Sequence, residues 1–101
     1  MNSNPRGSLF TVVMEFDGTT SVSQFVATSV KNALKLWRKG LDQPIVYDLS
    51  PSSAQSFKVA YDKRDPDRAP VPINGVAGVW CTTVVVGNRL ALLNIVKTRR
   101  S

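Results

Sequence analysis

Leu9-Phe-Thr-Val-Val-Met-Glu-Phe16, followed at once by Asp17-Gly18, decides the fold. Phe10, Val12, Met14 and Phe16 alternate onto one face, and Leu9, Thr11, Val13 and Glu15 onto the other. Alternation at a period of two, in β-branched and aromatic residues, specifies a strand with one clearly apolar side. Asp tolerates a left-handed backbone and Gly adopts it freely, so the pair marks a turn. Ser21 to Ala27 then reads as the return strand, with Val22 and Val26 set among polar residues. A helix beginning at Ser21 is the weaker alternative, because Ser21 to Ser29 holds little Ala or Leu.

Working outward, Val30, Ala33, Leu34, Trp37 and Leu41 fall at i, i+3, i+4, i+7 and i+11, one face of a helical period. Thr28 or Ser29 suits the N-cap, and Arg38 and Lys39 suit the negative end of the dipole. Gly40 is expected to supply a left-handed C-terminal residue. The helix should run from near Ser29 to Lys39. Pro44 to Leu49 is a short strand or a connector. Ser50-Pro51 is a helix-entry signal, Ser as cap and Pro at the first helical position. Ala54, Phe57, Ala60 and Tyr61 favour a short second helix, although Ser56 to Tyr61 also alternates as a strand would. Asp62 to Asn74 contains Pro66, Pro70 and Pro72 and is expected to be loop throughout. Val79 to Val86 and Leu90 to Lys97, joined by Gly87-Asn88, form the clearest hairpin.

These elements predict an α+β two-layer sandwich: a four-stranded antiparallel sheet in the order β-β-α-(α)-β-β, with one main helix packed on it. Residues 9–98 make a single domain, flanked by a disordered N-terminal tail (1–8) and a basic C-terminal tail (99–101). Both strands of the second hairpin are apolar on both faces, which places them centrally. The second sheet face then needs a cover: the second helix, the proline-rich loop or a second subunit.

The composition works mainly by exclusion. The 101 residues carry 13 Lys and Arg against 7 Asp and Glu, for a net charge of +6. No histidine is present, so Ser-His-Asp and Cys-His catalysis are ruled out. One cysteine forms no disulfide within the chain and cannot supply a structural zinc site. No catalytic residue, cofactor or metal is expected. The polar start and the lack of an apolar run of spanning length predict a cytoplasmic protein with no membrane association. A reduced Cys81 suits that compartment.

Lys31, Lys35, Arg38 and Lys39 are expected to share the solvent side of the first helix, with no acid between Ser29 and Leu41. They could contact phosphates or an acidic partner, or form a solvated face. Lys97, Arg99 and Arg100 carry half of the excess, since without them the net charge falls from +6 to +3. Asp65-Pro66-Asp67 offers too few oxygen ligands for a hard cation and reads as a salt-bridged loop. Glu15 and Asp17 could act as an acid/base pair only in a cleft, and turn chemistry alone accounts for Asp17. Cys81 lacks the cationic neighbour that makes a thiol reactive and is expected to be buried. Trp37 and Trp80 are expected in the core. Gly75 and Gly78 precede a strand, the wrong placement for a phosphate loop.

Two stretches carry a resemblance. The first is Thr20-Ser21-Val22-Ser23-Gln24 with Ala27-Thr28-Ser29 and Ala33-Leu34-x-x-Trp37. The second is Val79-Trp80-Cys81 with Asn94-Ile95-Val96-Lys97-Thr98. Together they resemble a group of small bacterial proteins of about this length. The hairpin followed by Ala-x-Ser-x-x-x-Ala-Leu is also similar to the HicB-type antitoxin domain, without that domain's DNA-binding appendage. The resemblance implies no activity and transfers no functional residue.

The leading expectation is a small non-enzymatic protein-interaction module, regulatory or antitoxin- or immunity-like, with a protein partner. The alternatives are a nucleic-acid-binding accessory protein using the basic helix face, and a ligand-binding protein or enzyme with a pocket beside the Asp62 to Asn74 loop. Homo-oligomerisation is expected from the apolar second hairpin.

Overall fold

The computed structural model describes residues 7–43, 47–63 and 70–99. The expected N-terminal tail to residue 6, the start of the Pro44 to Leu49 segment, the loop through Asp65-Pro66-Asp67 and the end of the basic tail lie outside them.

The opening strand, β1 (Ser8–Phe16), pairs antiparallel with β2 (Thr19–Ala27). Asp17 and Gly18 turn the chain with φ of 53° and 79°. Helix α1 (Val30–Gly40) follows, and the Ser29 hydroxyl caps it by accepting the Asn32 N–H at 3.1 Å. Helix α2 (Pro51–Lys63) begins as its Ser-Pro entry predicts, with the Ser50 hydroxyl accepting the Ser53 N–H at 3.1 Å. Three strands complete the chain: β3 (Val71–Pro72), β4 (Val79–Val86) and β5 (Arg89–Thr98). The sheet is antiparallel, in the order β2-β1-β5-β4-β3, which puts β5 at its centre.

The α+β reading holds, with corrections in detail. Among the described residues the sheet has five strands rather than four, and both helices are formed. The extra strand lies where three prolines suggested only loop. It survives because it is a two-residue edge: Val71 pairs with Cys81 and Pro72 with Trp80, and an edge position asks for no inner-ladder N–H. Helix α2 also runs to Lys63, inside the expected loop.

Gly40 does not have the expected left-handed backbone, and Leu41 caps α1 in the right-handed region. Close approach explains the glycine instead. A Cβ there would stand 2.6 Å from Cζ of Tyr47, far inside van der Waals contact.

The core lies on one side of the sheet only. Phe10, Val12, Met14 and Phe16 of β1 face the helices, as do Ala91, Leu93 and Ile95 of β5. Trp37 projects from α1 into the centre, with its ring centroid 5.0 Å from Tyr47, 5.4 Å from Phe57 and 5.9 Å from Tyr61. Phe57 meets Phe16 edge-on at 5.3 Å, so α2 covers the same face as α1. Among the described residues no helix is long and apolar enough to cross a membrane.

The Tyr47 hydroxyl donates to the Trp37 carbonyl at 2.7 Å. Burial pushes its pKa well above the ordinary tyrosine value. The unfolded chain therefore releases this proton first. The contribution is complete below about pH 10 and falls as pH rises further, by up to about 1.4 kcal/mol per pH unit. Tyr47→Phe should abolish that part of the alkaline loss, at a cost of about 1 kcal/mol for the hydrogen bond. Urea midpoints of both proteins from about pH 8 to about pH 11 check this, and parallel pH curves would refute it.

Candidate functional site

The four basic residues of α1 do not act alike. Lys31, Lys35 and Lys39 are exposed one turn apart along the helix. Arg38 turns instead towards α2. Its Nε and Nη2 donate to the two carboxylate oxygens of Asp62 at 2.8 and 2.7 Å, and Nη1 lies 3.6 Å from Asp42. Lys58 of α2 also reaches Asp42, at 2.9 Å. These contacts raise the Arg38 pKa, through the Asp62 hydrogen bond first, and lower that of Asp42, through Lys58 first. Arg38 clamps the two helices in a forked geometry that lysine cannot make. The expected four-residue stripe is thus a row of three lysines.

Little else from the sequence converges. Glu15 points out from one sheet face, while Asp17 sits in the adjoining turn with its carboxylate on Arg89. The two share no cleft. Among the described residues no three His, Cys, Asp or Glu side chains gather as a metal site. Trp37 is fully buried, and Trp80 is partly buried against Phe10 at 6.0 Å.

A groove of about 620 Å³ runs between α2 and β4. Val59, Ala60 and Val84 line it together with Gln55, Ser56 and Lys63, and it reaches the edge of β4 at Val85. Among its described lining residues no pair of acid/base groups converges.

The most distinctive surface is the sheet face away from both helices. One row crosses all five strands: Val22, Val13, Asn94, Cys81 and Val71. A flanking row carries Gln24, Thr11, Val96 and Val79, and another Thr20, Glu15, Leu92 and Thr83. Val26, Leu9 and Thr98 close one end, and Leu90 and Val85 the other. Glu15 carries the single charge among these described positions. Val22, Val85 and Leu90 are each more than 60% exposed.

One expectation changes here. Cys81 is half-buried on this face, not a core residue. Val22 and Val26, the aliphatic residues of β2, point outward, while Ser21, Ser23, Phe25 and Ala27 turn towards the helices. Pairing of Phe25 with Phe10 sets that register.

The polar groups on one end of this face are paired among themselves. Gln24 Nε2 donates to Thr11 Oγ1 at 3.0 Å, Thr11 bonds to Thr98, and Thr98 Oγ1 donates to the Val96 carbonyl at 3.1 Å. Donor and acceptor roles run consistently along this relay.

Comparison with family profiles, with curated proteins and with solved structures finds no match to the chain.

Proposed function

We propose that the chain is a non-enzymatic interaction module that presents the open face of its sheet to another protein. One observation carries the reading: both helices lie on one side of the sheet, and ten aliphatic side chains stand on the other, among the described residues, with no element over them. An apolar patch of that extent favours association, because covering it removes apolar area from water. In this role the chain acts through its contacts with other chains, as a regulatory or antitoxin-like subunit does.

Nucleic-acid binding along α1 is the rival reading, supported by the exposed row Lys31, Lys35 and Lys39. The fork of Arg38 on Asp62 weakens it. A photo-crosslinking residue placed at Val22 or at Lys35, in cells that make the chain, separates the two. Protein adducts should form from position 22, survive nuclease and persist when Lys31, Lys35 and Lys39 are changed to Glu. Adducts from position 35 alone, or nuclease-sensitive ones, would overturn the reading.

A further inference from the structure

We infer that the occupant of the open sheet face is a second copy of this chain, in a two-fold dimer layered helices, sheet, sheet, helices. The inference rests on the open face being the working surface and names what covers it.

Area is the first argument. The strands β2, β1, β5 and β4 have 8 to 10 residues each. At about 4.8 Å between strands and about 3.3 Å per residue they outline roughly 550 Å². Side-chain relief raises the accessible area of such a patch towards the ~800 Å² that each partner contributes to a stable complex. Twisted sheets pack face to face with their strands roughly 30° apart, and interdigitating aliphatic side chains form the joint core.

Charge is the second. Two chains of net charge +6 repel. Yet Glu15 is the single charge on this face among the described positions, and Lys31, Lys35 and Lys39 lie on the opposite layer. In the dimer the two lysine rows point away from each other across two sheets and two helix layers. Layers about 10 Å thick separate them well beyond the ~8 Å screening length. An acidic partner is drawn to α1, whereas this mostly aliphatic face, with one carboxylate, selects a mostly apolar occupant. The same face of a second copy meets that requirement.

Hydrogen bonding is the third. Burying a polar group costs free energy unless it is paired. Thr11 accepts from Gln24 and bonds to Thr98, which donates on to the Val96 carbonyl, so these two hydroxyls can be covered without loss. Asn94 lies at the middle of the five-strand row. Its amide is both donor and acceptor, so two copies related by a two-fold axis can satisfy each other there.

Sedimentation equilibrium from about 1 to about 100 μM, with the labelling rate of Cys81 by a maleimide, tests this. The expected result is a species of twice 11.1 kDa whose Cys81 labels at least ~10-fold more slowly than in the dissociated chain. Val13→Lys and Val96→Lys each place a charge in the contact and should weaken association about 100-fold or more. Lys35→Glu should change neither readout. Circular dichroism checks that the variants fold, and the wild-type labelling rate tests the proposal independently of them. A monomer throughout, or a dimer whose Cys81 labels as fast as the monomer's, overturns the second copy. Failure of the surface itself reads out separately, as crosslinking from position 35.

Discussion

Trp37→Ala should lower the free energy of unfolding by about 3–5 kcal/mol and leave the chain largely unfolded near 37 °C. Trp37 has no accessible surface and touches the three other aromatic rings that join α1, α2 and the connecting segment. Among the described residues no other aromatic ring meets three others. Removing it leaves a void that Tyr47, Phe57 and Tyr61 cannot fill without leaving their own contacts with the sheet and the helices. A domain of this size holds only about 5–15 kcal/mol in total, so the loss is a large share. Trp37→Phe should cost much less. It keeps most of the ring packing and removes an indole N–H that is buried with no partner among the described residues. Trp80→Ala should also be milder, because Trp80 is only partly buried and packs at the edge of the core. Urea unfolding followed by circular dichroism ranks the three. Equal losses for Trp37→Ala and Trp80→Ala would show that the aromatic cluster does not dominate the core.

Local patterns account for most of the fold and for little of the candidate surface. The alternation in β1, the Asp17-Gly18 and Gly87-Asn88 turns, the Ser29 cap and the Ser50-Pro51 entry all act within a few residues, and each was legible. Strand β3 was not, because its two residues exist only through pairing with Trp80 and Cys81. The outward direction of Val22 and Val26 was also hidden. Alternation shows that β2 has two faces, but the register with β1 decides which one is covered. The lysine row was read correctly on one face, yet the engagement of Arg38 depends on Asp62, 24 residues away. The apolar character of the second sheet face was legible in the doubly apolar C-terminal hairpin. That both helices would choose the other side was not, since neither helix's periodicity specifies the layer it joins.

Gly40→Ala should destabilise the protein by about 1–3 kcal/mol, although the same change in an ordinary helix stabilises it. Glycine costs up to about 1 kcal/mol relative to alanine inside a helix, through backbone entropy. Gly40 lies in α1 without a positive φ, so alanine is conformationally acceptable there. The objection is spatial. The new Cβ would meet the Tyr47 ring, 2.6 Å from Cζ and 2.8 Å from Cε2. That ring cannot swing aside cheaply. It is stacked on Trp37 at 15° between planes, and its hydroxyl is held by the Trp37 carbonyl. In a Tyr47→Leu background the obstacle is gone, and Gly40→Ala should then stabilise by a few tenths to about 1 kcal/mol. The sign of the substitution therefore reverses with residue 47, corresponding to a coupling of about 2–3 kcal/mol in a double-mutant cycle. Four urea curves measure it. If Gly40→Ala has the same sign in both backgrounds, contact with Tyr47 is not what requires glycine at this position.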